Sequence, residues 1–244
     1  MIQRMLAGGL IAGFAAGLFA ALLHFAFIQE LILLGEKYET REIVHFAGAG
    51  DGASEPSPHS HEADTASHDH DSSGGTETDS TLSRNLLTVL FTGLIYAGYG
   101  MILVAGFALA EHFGRSIQAR EAILWGIGGF VAFQLAPAMG LAPELPGTIA
   151  ADLSSRQVWW LGTVVATAGG LALLSYGRGI VAALAAGALL AAPHAIGAPQ
   201  PEQFWGFAPP EVGAEFAARV LGVGLAAWTA LGWLAGRIWI GKSG

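Results

Sequence analysis

Between Arg4 and Glu30 the chain carries no formal charge, and five more such stretches follow, at 86–110, 122–143, 157–177, 179–201 and 220–236. A bilayer core of about 30 Å is crossed by about 20 apolar residues in a helix, so each stretch reaches or nearly reaches from side to side. Lipid offers the backbone no hydrogen bonds, and a helix satisfies its N–H and C=O groups within one segment. The pattern therefore predicts an all-α, polytopic bundle of six transmembrane helices. Only 12% of the 244 residues are charged, against about 25% in a soluble domain. The last stretch has 17 residues and is expected to extend back to about Ala214, with Arg219 snorkelling or pairing. The first is longer than the apolar core of a secretory signal, about 7–15 residues, and is read as an uncleaved span.

Orientation follows from the basic residues. With the N-terminus inside, the cytoplasmic side holds Arg4, Arg115, Arg120, Arg178, Arg237 and Lys242 against Glu111 and Glu121. The other side holds Lys37, Arg41, Arg84, Arg156 and Arg219 against seventeen acids. The positive-inside rule then predicts N-in and C-in. Residues 1–34 are the first transmembrane helix, 35–84 an extracytoplasmic acidic, histidine-rich loop, and 85–244 five further spans with short loops.

The loop opens with GEKYETREIVHF, whose helix formers extend the first helix into water. From about residue 47 almost nothing is apolar beyond alanine, and such a segment cannot offset its chain entropy by burial, so disorder is expected there. Within it lies SPHSHEADTASHDHD, residues 57–71. His59 and His61 form one H-x-H pair, His68 and His70 a second, with Asp69 and Asp71 interleaved. The chain has no cysteine, so a transition metal would rest on imidazole, carboxylate and backbone oxygen, which suit Co, Ni, Zn or Cu. A solvated acidic spacer is the other reading. A flexible His/Asp site follows the Irving–Williams order, so it gathers ions without selecting cobalt.

Two spans end alike. The third closes on Ala136-Pro137-Ala138-Met139-Gly140-Leu141-Ala142-Pro143 and the fifth on Ala192-Pro193-His194-Ala195-Ile196-Gly197-Ala198-Pro199. Proline has no N–H and clashes with the carbonyl four residues back, so Pro137 frees the oxygen of Phe133 and Pro193 that of Leu189. Helix C-termini favour cations, and freed carbonyls there coordinate ions in transporters. The mouth of a cation pathway is expected here, lined by Gln134, Glu144, Asp152 and His194; simple helix termination is the alternative. His24 lies within the first span, where an ionisable residue is a functional candidate. A histidine hydrogen-bonded to a neighbouring helix is the plainer reading for His24 and His194 alike.

Gly9, Gly13 and Gly17 fall four apart on the first span, and Gly232 and Gly236 repeat that spacing on the last. Such faces let helices approach closely in lipid, though glycine is common in membrane helices generally. Trp159 and Trp160 are read as interfacial anchors. No metalloprotease, nucleophile-elbow or P-loop motif occurs, so neither enzymatic activity nor an organic cofactor is expected. No nucleic-acid partner is expected either.

Three stretches carry a resemblance: RMLAGGLIAGFAAGLFAALLHFAFIQELILLGEKYE, FQLAPAMGLAPELPGTIAADLSSRQVWWLGTVVATAGGLALL and PHAIGAPQPE. They are similar to the CbtA family, predicted cobalt transporter subunits of bacteria, and the likeness runs the length of the chain. It implies a multi-pass subunit of five or six spans in the bacterial inner membrane, beside cobalamin biosynthesis. It also implies a small single-span partner, CbtB, and Co²⁺ as substrate, while the donor chemistry leaves Ni²⁺ or Zn²⁺ open. The positions it carries over are Glu36, Tyr38, Glu39, Gln134, Pro137, Pro143, Glu144, Pro146, Asp152, Arg156, Gln157, Trp159, Trp160, Pro193, His194, Gly197, Pro199 and Pro201. Two functions remain in view: uptake of a divalent cation, and a non-conducting membrane metal-binding or assembly protein that hands ions to a partner. A homo-oligomer is compatible with both.

Overall fold

A computed structural model describes residues 2–44 and 76–241. The histidine pairs at 57–71 lie outside the described residues. The elements are α1 (Ile2–Phe27), α2 (Gln29–Glu39), α3 (Thr76–His112), α4 (Ala119–Phe130), a π-helical segment (Val131–Leu135), α5 (Ala136–Ala138), α6 (Leu153–Tyr176), α7 (Gly179–Ile196) and α8 (Pro210–Ile240). Six helices among these residues are long and apolar enough to cross a bilayer: Met5–Phe27, Thr81–His112, Ala119–Ala138, Leu153–Tyr176, Gly179–Ile196 and Pro210–Ile240. The all-α, six-helix expectation agrees with this fold. Outward faces carry Ile11, Leu22, Leu86, Val158, Val181 and Leu184, all exposed, as suits hydrocarbon rather than water.

The ends differ from the uncharged intervals. The third span stops at Ala138 and the fifth at Ile196, where Gly197 takes a positive φ of 87° and turns the chain out of α7. The last span starts at Pro210, earlier than Ala214, because proline suits the first helical turn, where N–H groups have no helical partner. Arg219 is settled by pairing: one guanidinium nitrogen donates to the Phe27 carbonyl at 2.9 Å, where α1 ends, and the other meets Glu215 on its own helix.

Glycine sets the packing. A Cβ added to Gly17 would lie 2.6 Å from the Gly93 Cα, one on Gly13 2.5 Å from the Ala97 Cα, and one on Gly9 3.0 Å from the Gly100 oxygen. As residue numbers rise along α1 they fall along α3, so the two helices are antiparallel and their backbones touch. The face read from the sequence is thus an internal seam. α4 and α8 repeat the device, with Gly126 against Gly232 and Ala122 against Gly236. Dispersion between closely approaching backbones takes the place of the hydrophobic effect in lipid.

Trp228, Phe107, Leu231, Ala12 and Ala122 are buried at the centre. α6 and α7 pair at the side, Gly170 resting on Leu190. One end of the bundle, here the amino-terminal end, gathers the start of α1, the α3–α4 connection and the end of α8, where Trp239 donates to Glu111 at 2.7 Å. The opposite end holds α2, the segments 139–152 and 197–209, and the starts of α6 and α8. Thr148 and Gly206 form an isolated bridge there, and Ile149 N–H donates to the Trp205 carbonyl at 2.9 Å.

Candidate functional site

Pro137 breaks the helical ladder, and the chain accommodates it by widening the preceding turn. The Ala136 N–H donates to the Val131 carbonyl, five residues back, across the π-helical segment. Such single-turn bulges cluster at functional sites. The extra residue sets Phe133 and Gln134 toward α6 and α8, and Pro137 itself is buried. Its carbonyl is spent, accepting from Leu141 N–H at 2.8 Å and Gly140 N–H at 3.1 Å.

Below Pro137 lies a cavity of about 400 Å³ whose polar lining is Gln134, Glu144, Arg156 and Gln157, with Phe133, Trp160 and Leu221 closing the apolar side. Arg156 donates to a Glu144 carboxylate oxygen at 3.0 Å, so the acid enters the cavity with its own counter-ion. Gln134 reaches across to α8. The Tyr96 hydroxyl approaches its amide, and its Oε1 is buried without a hydrogen-bond donor, pressed on Gly224 where any Cβ would collide with it. A buried amide oxygen without a donor is costly.

The second proline break faces a different surrounding. Pro193 is buried, and its carbonyl accepts from Gly197 N–H at 3.0 Å and from the Trp159 indole N–H at 3.1 Å. The two stretches, 136–143 and 192–199, do meet: a Cβ on Gly140 would lie 2.7 Å from the Ala198 Cβ and 2.8 Å from the Trp159 ring, and Gln200 donates to the Gly140 carbonyl at 3.1 Å. What separates the breaks is an indole ring. The Trp159 ring lies between them, with the His194 ring edge-on to it at 6.2 Å.

Of the candidates read from the sequence, Gln134 and Glu144 share this cavity, whereas His24, Asp152 and His194 are absent from its lining. Asp152 caps α6. It accepts from the Ser154 hydroxyl at 2.6 Å, the Ser155 N–H at 2.9 Å and the Ser155 hydroxyl at 3.1 Å. Those bonds, the Ser154 hydroxyl first, hold its carboxyl below the ordinary carboxylate range. His24 is half-buried on α1, edge-on to Phe25 at 5.6 Å. Among the described residues, no three His, Asp or Glu side chains gather as a metal cluster. His59, His61, His68, His70, Asp69 and Asp71 lie outside those residues. The pairing of Arg156 with Glu144 escaped the sequence reading, as did the central ring cluster, where Tyr99 lies 4.7 Å from Trp228 and Phe133 5.5 Å from it. Trp228 did carry a signal, since it stands in mid-span, away from the interfaces where tryptophan gathers.

Six helices long and apolar enough to cross a bilayer, with an open cavity beside a broken helix, define a multi-pass membrane protein of the helical-bundle class. Residues 2–240 match the family described as probable cobalt transporter subunit (CbtA), and the chain belongs to that family. Comparison with curated proteins and with solved structures gave no match.

Proposed function

We propose that the chain is the membrane subunit for uptake of a divalent transition-metal cation, Co²⁺ foremost with Ni²⁺ or Zn²⁺ as alternatives, in the bacterial inner membrane. Ions gather on His59, His61, His68, His70, Asp69 and Asp71 at the extracytoplasmic face and enter by the cavity under Pro137. One observation carries the mouth of the route: Gln134 and Glu144 line the same cavity at a proline-broken helix end. His194 and Asp152 serve the approach to it, and His24 lies apart on α1.

Orientation N-in and C-in puts Glu144 outside. Arg115, Arg120, Arg178 and Arg237 all fall at the amino-terminal end, in support of that orientation. An inside-negative potential supplies about 2.3 kcal/mol per charge per 100 mV, so a divalent ion gains about twice that on inward movement. The family description names a subunit, which supports a partner; we read it as the small single-span CbtB, and a second copy of this chain is compatible with it.

Replacing Gln134, Glu144 and His194 together should abolish cobalt uptake while the protein still inserts. Uptake that survives puts the mouth elsewhere. A second reading, a non-conducting protein that hands metal to a partner, is favoured by the guanidinium already bound to Glu144. Counterflow of cobalt in vesicles reconstituted with this chain alone separates the two.

A further inference from the structure

A second cavity, of about 600 Å³, opens where the α3–α4 connection contributes Arg115 and Ser116 and the first turn of α4 contributes Glu121. It follows α4 and α6 past Leu124 and Leu171 and ends on Phe133 and Trp228. The cavity under Pro137 also ends on Phe133, so this side chain is common to both linings. Trp160 lines the first cavity and Trp228 the second. The Phe133 ring lies 6.0 Å from Trp160 and is stacked on Trp228 at 5.5 Å. The wall between the cavities is therefore an aromatic layer centred on one residue.

Two further features fall at that wall. Phe133 sits inside the π-helical segment Val131–Leu135, the one place where the third span departs from α geometry. Beside it are Gln134 Oε1 and Trp228 Nε1, both buried and both without hydrogen-bond partners. A packed core seldom leaves an acceptor and a donor orphaned around one ring.

We propose that the two cavities are halves of one translocation route, with Phe133 as its gate and the π-helical segment as the hinge that moves it. The inference rests on the uptake reading for its cargo, a divalent cation. Returning the segment to α geometry takes one residue out of the turn and rotates Phe133 by about 100° relative to the helix beyond it. The ring then leaves the seam. A cation in transit meets Gln134 Oε1 as an oxygen ligand and the faces of Tyr99, Trp160 and Trp228, which attract positive charge. With the ring in place, the apolar constriction excludes water and ions alike.

The chain has no cysteine, so single thiols report alone. Gln157→Cys probes the first cavity and Ser175→Cys, which lines the second, probes the other. Each is challenged with a membrane-impermeant cationic thiosulfonate in right-side-out and in inverted vesicles. Gln157→Cys should react only from the face that bears Glu144, and Ser175→Cys only from the opposite face. Adding Phe133→Ala should let the reagent reach Ser175→Cys from the Glu144 face, raising that labelling rate about tenfold or more. Adding Phe133→Trp, which keeps an aromatic ring, should leave the sidedness strict and slow cobalt uptake. Labelling of both thiols from one face, or reaction of Ser175→Cys with lipid-soluble reagents alone, overturns the route even if Phe133→Ala fails to insert. Unchanged sidedness in an inserted Phe133→Ala protein overturns the gate. The labelling needs no cobalt, so a gate that passes these tests in a chain that moves no cobalt refutes the cargo and leaves the route standing.

Discussion

Arg156 donates to Glu144 at 3.0 Å across the cavity under Pro137, tying the first turn of α6 to the chain that leaves α5. The two side chains are 27% and 33% exposed, and partly exposed pairs of this kind contribute about 0–1 kcal/mol to stability. On the proposed route the pair would matter more to an incoming ion, which would have to displace a guanidinium before meeting the carboxylate. Glu144→Gln is therefore expected to lower cobalt uptake about tenfold or more, the ratio that ~1.4 kcal/mol makes, with little change in the thermal midpoint. Arg156→Gln should act in the other direction on binding and reduce the cobalt concentration for half-maximal uptake. Initial rates of radiocobalt uptake against concentration check both; equal losses in the two variants would show that the pair only holds the fold.

The α1–α3 seam predicts a sharp contrast among glycines. A Cβ on Gly13 meets the α3 backbone at Ala97 and Tyr96, which cannot rotate away, whereas one on Gly98 or Gly222 meets nothing within 4 Å. Gly13→Ala is expected to destabilise by about 1–3 kcal/mol, as overpacking does. Gly98→Ala should be neutral or stabilising by about 0.4–1 kcal/mol, because it stiffens the unfolded chain in a conformation the helix already adopts. Thermal unfolding of the detergent-solubilised protein distinguishes them. Similar losses at both positions would mean that the helices separate readily and the seam is not the constraint.

Much of this architecture is written in where charge is missing. Six spans are legible because a charge in hydrocarbon is expensive, so uncharged intervals stand out between charged residues such as Arg4 and Glu30, Arg84 and Glu111, Glu121 and Glu144, or Arg156 and Arg178. Span ends are less legible, since they depend on how a proline is absorbed. Pro137 induces a π turn and Pro193 a glycine-terminated helix, from nearly the same local sequence. Gln134 and Glu144 were legible as polar residues beside a break. The partner of Glu144 was not, because Arg156 lies across a helix start whose direction only the tertiary fold fixes. Nor was the place of Phe133 between two cavities: a phenylalanine in an apolar span is indistinguishable by sequence from its neighbours until both cavities are seen to end on it.

Asp152 predicts a pH dependence of a definite sign. Hydrogen bonds from Ser154 and Ser155 stabilise its ionised form and depress its carboxyl below the ordinary value of 3.8. The stabilisation is complete above that ordinary value and is lost as pH falls through the depressed one. Asparagine also caps helices but does not titrate. Asp152→Asn should match the native protein near neutrality and lose less stability on acidification below about pH 4. Thermal midpoints measured down the acid range check this; parallel curves for the two proteins would mean that the cap contributes nothing that depends on its charge.

The segment 57–71 predicts a change in concentration dependence rather than in capacity. On the proposed uptake role, its four histidines and interleaved acids would raise the local supply of metal without choosing which ion passes. Deleting it should raise the cobalt concentration for half-maximal uptake and leave the maximal rate close to native. Acid should mimic the deletion, because imidazoles protonate below about pH 6.5 and release metal as they do. Native uptake at limiting cobalt is thus expected to fall between about pH 7.5 and 5.5, and the deletion variant to be flatter over that range. Complete loss of uptake on deletion would mean that the histidines are part of the obligatory route, and the discriminating step would then have to be sought on the loop instead of under Pro137.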